Sequence, residues 1–544
     1  MSNMIVCPEP LAAQVGEAIF AKGGNAVDAA VASAFAQGVT NPLLCGLGGT
    51  GVMYYYDANK CQGIVLDFEV TVGSRPVPDA WIKDFAGRAE TVGRYIIKSE
   101  ANQIGHQSVM TPGLVRGLWT AYQRFGSGKL TWKELVAPAV KLARDGFQIY
   151  PYIGGFWQNT DDRPGYPSLM RKLNATPDAK RVYLKPNGER YAEGDWFIQA
   201  EYGRTLQRLA DVGGEDFYTG EIGRMIADDF EIHDALMTRE DLTTFPVDDQ
   251  QPICGRFRDV EITSTPVSGS GGHLIEILQI LDHFDLKKLR HNSPKYIDTF
   301  ARTLRGTFAD NVKLKCMAVK EAMPLEAKLI SPRRATYWAK RIERGDRVVV
   351  RGGAADIGTT HLVAVDADRN VVTMTHSIGS LAGSGVITPG LGFLFNNFLG
   401  HFNPLPGHPD SIAPLKRGGG GVPAILFRDG KPLLVIGAPG GSRLITSVAQ
   451  TIVNAIEFGM DMRTAVTTPR FHSEEEQLLL IEPQFPESTA QALRNMGNDV
   501  RRSTYMSRVQ AILIRPDTGE LEAGPDPRGG AGVGRYPIQA AGGG

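Results

Sequence analysis

The stretch from Tyr337 to Asp366, YWAKRIERGDRVVVRGGAADIG followed by TTHLVAVD, changes character at one bond. Up to Gly358 it is charged and then glycine-rich, and the segment from about Pro332 to Thr359 reads as an exposed tether. From Thr359 onward it is β-rich. A second β-rich run, NVVTMTHS (370–377), follows the turn ADR (367–369), so a hairpin is expected.

Cutting the Gly358–Thr359 bond would change what Thr359 can do. A threonine hydroxyl is a weak nucleophile at neutral pH. A newly freed α-amine, with a reference pKa of about 8, can take its proton near working pH, so one residue supplies nucleophile and base. The small Gly358 leaves the hydroxyl room to reach back to its own preceding carbonyl, and a strand starting at the threonine would hold the new terminus. Ser377, at the end of the second run, is the candidate supporting group. Acyl transfer also needs backbone N–H groups for the oxyanion. Gly440 and Gly441, in GAPGGSR after the apolar run KPLLVIG, are the candidates. Alone, each signal is weak, because a Thr pair in a strand is ordinarily β propensity.

Further outward, the first half of the chain alternates helix and strand patterns. Leu11 to Lys22 and Ala26 to Gln37 read as helices, the second capped by Asn25 with Asp28 in its first turn. GVMYYYD and GIVLDFE read as a strand pair, and Pro112 to Asp145 is helical again. The polar stretch from about Tyr150 to Gly194 reads as irregular surface elaboration. Helices resume at Ala200 to Val212, at Gly220 to Asp229, and in HLIEILQILDHF after the turn SGSGG. Beyond Thr359, VPAILFRDGKPLLVIG and AILIRPDTGELEAG read as strands, and SVAQTIVNAIEFG and STAQALRNMG as helices.

The 544 residues carry 58 Lys and Arg against 59 Asp and Glu, a balance that points away from nucleic acid. No run approaches 18 apolar residues and the start lacks a basic n-region, so neither a membrane span nor a signal peptide is expected. The five scattered cysteines read as reduced thiols, mostly in the core, which fits a cytoplasmic location. No cofactor is expected. His401 and His408 lack a carboxylate or cysteine to complete a metal set. His361 and His376 read as packed strand histidines beside a candidate site, and His273 with Glu276 as a structural pair on an apolar helix.

The order of motifs adds a comparison. GGNAVDAAVASAF, NPLLCGLGGTG, TPGLVRG, LVAPAVKLARDGF, GDWFIQAEYGRTLQRLA, SGSGG, TTHLVAVD, GAPGGSR, TPRFH and GPDPR together resemble the γ-glutamyltranspeptidase family, from about Val6 to Arg528. The resemblance implies an α/β fold, the four-layer αββα sandwich of N-terminal nucleophile hydrolases. It implies self-cleavage into residues 1–358 and 359–544, which stay associated as one domain. It assigns the nucleophile to Thr359, its support to Ser377 and the oxyanion hole to Gly440 and Gly441.

The substrate pocket departs from the family's pattern. Glu69, in LDFEVTVG, stands where the family has the arginine that grips an α-carboxylate. Gly379 replaces an asparagine. Phe398 and His401, in FNNFLGHF, replace a glutamine and an aspartate, and Gly419 and Gly420, in KRGGGGVP, replace two serines. These changes imply a smaller, anionic, non-γ-glutamyl amide, with Arg417 or Arg75 as its anion partner, and a resemblance to small-amide amidohydrolases such as oxamate amidohydrolase. The alternatives are a true γ-glutamyltranspeptidase or glutathione hydrolase with a remodelled pocket, and an inactive binding relative. The partners expected are the amide and water; the quaternary state stays open, a dimer of heterodimers being one arrangement.

Overall fold

The computed structural model describes residues 2–89, 94–311, 314, 317–346, 348 and 358–537. Thirteen strands matter here. From the first part of the chain come β1 (Ser2–Cys7), β2 (Thr50–Asp57), β3 (Gln62–Phe68), β4 (Asp248–Gln250), β5 (Ile253–Phe257) and β6 (Val260–Ser264). From Thr360 onward come β7 (Thr360–Val365), β8 (Val371–Ser377), β9 (Ala424–Arg428), β10 (Lys431–Gly437), β11 (Gln510–Ile514), β12 (Leu521–Pro525) and β13 (Gly532–Pro537). They form two antiparallel sheets, ordered β13-β1-β7-β8-β2-β3-β4 and β5-β6-β9-β10-β11-β12.

Three apolar cores follow from the period-two alternation of these strands. Val363, Val365 and Val371 of the first sheet meet Ile425, Val435 and Ile512 of the second. The opposite faces carry Leu362, Ala364, Val372 and Met374, which pack against helices α1 (Pro10–Ala21), α2 (Ala26–Thr40), α3 (Leu114–Phe125), α4 (Trp132–Asp145) and α5 (Ala200–Val212). On the second sheet Leu426, Leu434 and Ile436 pack against α6 (Gly271–Leu281), α7 (Pro294–Asn311) and, further along, α9 (Arg443–Ile456). Strands covered on both sides need no polar face, so β7 and β8 are buried throughout.

Asn25 caps α2 with Asp28 in a reciprocal capping box, as its sequence position suggests. Two expectations are corrected. The 150–194 stretch contains three short helices, and Trp157 and Tyr183 from it are fully buried in the core between the first sheet and its helices. Its prolines and polar residues start and cap those helices. The beginning of the expected tether is helix α8 (Pro332–Arg344), capped by Ser331 and ended by Gly345 in the left-handed conformation. It buries Ala335, Trp338, Ala339 and Ile342 on one face. The glycine-rich part, 349–357, lies outside the described residues. Cys7 and Cys45 are buried, whereas Cys61 and Cys254 are exposed; Cys316 lies outside the described residues. No described helix is long and apolar enough to cross a membrane.

Candidate active site

Strand register places the two hydroxyls. Thr360 of β7 pairs with His376 of β8, so Thr359 faces Ser377 at the open end of the hairpin. Period two then turns Thr359, His361 and Val363 toward the second sheet, while Thr360 turns the other way and bonds Glu9.

The Thr359 hydroxyl donates to Ser377 Oγ at 3.1 Å and also contacts the Gly358 carbonyl oxygen. The Ser377 hydroxyl donates to that carbonyl at 2.7 Å and accepts the Gly379 amide at 2.9 Å. A β-carbon on Gly358 would overlap the Gly379 carbonyl oxygen, so no side chain fits there.

A cavity of about 240 Å³ opens from Thr359 and Ser377. Gly379, Phe398, His401, Arg417, Gly419, Gly420 and Gly441 lie on its wall. Gly440, with φ +124°, and Gly441, with φ +60°, sit in the loop that joins β10 to the N-terminus of α9. The hydroxyl of Ser507 holds this loop through the Pro439 carbonyl. A helix N-terminus favours negative charge beside it.

The expected substrate residues divide. Glu69 is buried behind the glycine strip, where Oε1 accepts the Gly420 amide at 2.7 Å and Oε2 accepts the Ser268 hydroxyl at 2.6 Å. Burial, then the neighbouring Asp67 charge, push its pKa up to about 8. Arg417 reaches the wall, but its guanidinium is engaged by Asp67 at 3.3 Å, Asp248 at 2.5 Å and the Glu69 carbonyl at 2.8 Å. Arg75 does not reach the cavity; it donates to the Ala235 carbonyl at 3.1 Å. Neither arginine is placed as an open anion anchor. His401 lies on the wall, its ring centroid 5.9 Å from that of Phe398, while His408 is exposed and does not line the cavity.

Comparisons with known proteins identify the family. The family model Gamma-glutamyltranspeptidase matches residues 12–536. The chain belongs to the γ-glutamyltranspeptidase family. It is an amide hydrolase of the N-terminal nucleophile type. It is 31% identical to the glutathione hydrolase proenzyme of Bacillus subtilis (strain 168), over 98% of this chain and 91% of that one. It is 32% identical to the acylase ACY 1 proenzyme of Pseudomonas sp. (strain V22), over 95% and 90%. Among solved structures, cephalosporin acylase from Bacillus halodurans superposes with a TM-score of 0.83 at 25% identity, covering 98% of this chain and 95% of that one.

The two strand histidines are fully buried and do not line the cavity. Burial depresses the pKa of His361 and His376 to about 3. His361 is held by Thr375 at 2.9 Å and Thr373 at 3.0 Å, His376 by Gln37 at 2.9 Å. Gln37 also donates to Glu9 at 2.6 Å and Thr360 at 2.9 Å, a buried polar network beneath the hairpin.

Several residues escaped the sequence reading. Glu474 stands on the cavity wall, and so does His273, which the sequence suggests is only structural. Burial raises the Glu474 pKa, but His472, Ser442 and Arg443 outweigh it and hold it at about 2. Asn396 and Asn397 fasten the loop carrying Phe398: Asn396 donates to the Gly48 carbonyl at 2.9 Å and Asn397 to Ser380 Oγ at 2.8 Å. The NN dipeptide was visible, but only its long-range partners show what it does. His106, Asp229 and His233 also meet, and none of them lines the cavity. The two rings stack in parallel at 3.9 Å.

Proposed function

We propose that the chain is the precursor of an N-terminal threonine amide hydrolase, which cuts itself between Gly358 and Thr359 and then hydrolyses a small amide other than a γ-glutamyl one. The observation that carries this is the relay from the Thr359 hydroxyl through Ser377 to the Gly358 carbonyl. Ser377 can take the threonine proton while its own hydrogen polarises the carbonyl under attack.

Self-cleavage follows as an N-to-O acyl shift. Thr359 Oγ bonds to the Gly358 carbonyl carbon, the C–N bond breaks, and the nitrogen leaves protonated as the Thr359 amine. Water then hydrolyses the ester, leaving a Gly358 carboxylate and the free N-terminal threonine. In turnover the same hydroxyl attacks the substrate amide, with the α-amine as base and Gly440 and Gly441 as oxyanion donors. The leaving amine departs and water releases the acid.

The products of processing, 1–358 and 359–544, would stay together because their strands interleave. In the first sheet, β7 and β8 lie between β1 and β2, and in the second, β9 follows β6. The four-layer αββα sandwich is likewise our reading of the fold, supported by one core between the sheets and one under each helical layer.

A non-γ-glutamyl substrate is favoured by Glu69, whose acid group stands where the family's carboxylate-gripping arginine is expected. The relatives named acylase support the same direction. The other reading, a glutathione hydrolase, has the name of the Bacillus subtilis relative on its side. Steady-state kinetics on γ-glutamyl anilide beside short acyl anilides separate the two. Efficient γ-glutamyl transfer to a dipeptide would refute our reading, and no turnover of any amide would favour an inactive binding relative.

A further inference from the structure

Glu69 does more than fail to bind a carboxylate. Its own carboxyl group takes two donors of the kind that would bind a carboxylate. Oε1 accepts the Gly420 amide at 2.7 Å and Oε2 the Ser268 hydroxyl at 2.6 Å, and both donor residues stand on the cavity wall. Gly419, next along the strip, passes so close that a β-carbon there would lie 3.0 Å from Glu69 Cδ. Gly419 and Gly420 have φ of +148° and +116°, a backbone that suits glycine and brings the strip against the carboxylate.

The surroundings make a second acid unwelcome. Asp67 lies alongside, sharing the Ser268 hydroxyl at 3.3 Å, and the adjacent Arg417 is engaged by Asp67 and Asp248. A further carboxylate would meet the buried Asp67 and a guanidinium that is already bridged, the same surroundings that hold Glu69 largely in its acid form near neutral pH.

We propose that Glu69 is a built-in occupant of the anion seat formed by the Gly420 amide and the Ser268 hydroxyl, so that the acyl group accepted by Thr359 carries no carboxylate at this end. This deepens the proposed function and replaces the anionic substrate expected from the glycine strip. The glycines of the strip do line the cavity, but the protein itself satisfies the N–H of Gly420. The acyl group that fits is uncharged and apolar enough to lie against Phe398.

The seat can be tested without turnover, so the outcome is independent of whether Thr359 is the nucleophile. Glu69→Ala empties it, whereas Glu69→Gln keeps it filled by a group of the same shape. Thermal melting of the full chain is followed in acetate or formate against chloride at equal ionic strength. Acetate or formate should raise the melting temperature of Glu69→Ala by about 1–3 °C, as expected for a ligand that binds only the folded state. Wild type and Glu69→Gln should not respond. If Glu69→Ala is not recovered folded, Glu69→Thr serves as the emptied seat. A folded emptied variant that ignores both anions, or a wild type that responds equally, overturns the proposal.

Discussion

Thr359 and Ser377, eighteen positions apart in sequence, meet hydroxyl to hydroxyl at 3.1 Å because the β7–β8 register pairs Thr360 with His376. A register slip of one residue would turn Ser377 toward the helices and leave His376 beside the nucleophile. The relay is therefore a property of the hairpin as much as of its two ends.

Processing should depend on both hydroxyls. Thr359→Ala is expected to leave one intact chain, and Ser377→Ala to slow cleavage by about a hundredfold, the usual effect of losing one positioned donor. Intact mass and N-terminal sequencing of freshly purified protein check this. Unchanged cleavage in Thr359→Ala would exclude Thr359 as the attacking group.

Gly358 should tolerate no side chain. An alanine would push against the Gly379 carbonyl and displace the scissile bond from Thr359. Overpacking of this kind costs about 1–3 kcal/mol, and here it falls on the reacting atoms. Gly358→Ala should fold but remain mostly uncut, as judged on a denaturing gel after a day. Cleavage at the wild-type rate would show that the carbonyl moves freely.

The proposed oxyanion loop calls for substitution at Gly440 rather than proline at Gly441. With φ +60°, Gly441 cannot accept a proline ring, so that change would distort the loop and not simply delete an N–H. Gly440→Ala brings a β-carbon within 2.9 Å of the Tyr505 hydroxyl on a backbone that disfavours it. The expected result is a fall in kcat of about a hundredfold with KM little changed. An effect confined to KM would place the loop in substrate binding instead.

Stability should fall on the acid side for an identifiable reason. His273, His361 and His376 are buried neutral, with pKa values held near 3 against 6.5 for an ordinary imidazole. The unfolded chain therefore binds more protons between these values, and stability present above about pH 6.5 is lost progressively toward pH 3. Each imidazole steepens that loss by up to about tenfold in the folding equilibrium per pH unit. Glu69 and Glu326, held up near 8 and 7, act in the opposite direction, so the difference is what counts: between pH 7 and pH 4 the urea midpoint of His376→Asn should decline less steeply than that of the wild type. An equal slope in the variant would mean that His376 is not held neutral in the fold.

Local patterns explain how much of this was readable in advance. The helices at Ala26 and Ala200, the paired strands at Thr50 and Gln62, and the hairpin after Thr359 follow from caps, periodicity and turns within a few residues. The 150–194 stretch misled because polar residues that start and cap short helices look like loop composition, while its core contribution rests on a few aromatics such as Trp157. The segment after Pro332 misled because a narrow apolar stripe on a charged helix resembles an exposed linker.

The sequence by itself determined the nucleophile candidate, its supporting hydroxyl and the order of motifs that place the chain in its family, because these depend on residue identity and short spacing. Only the tertiary structure decided which charges remain open in the cavity. Arg417 reads as an anion anchor until Asp67 and Asp248 are seen to hold it, and Gly420 reads as a free donor until Glu69, 351 positions away, is seen to fill it. Charge and hydrogen-bonding capacity are fixed by whatever lies within a few ångströms, and in this fold those neighbours come from distant parts of the chain.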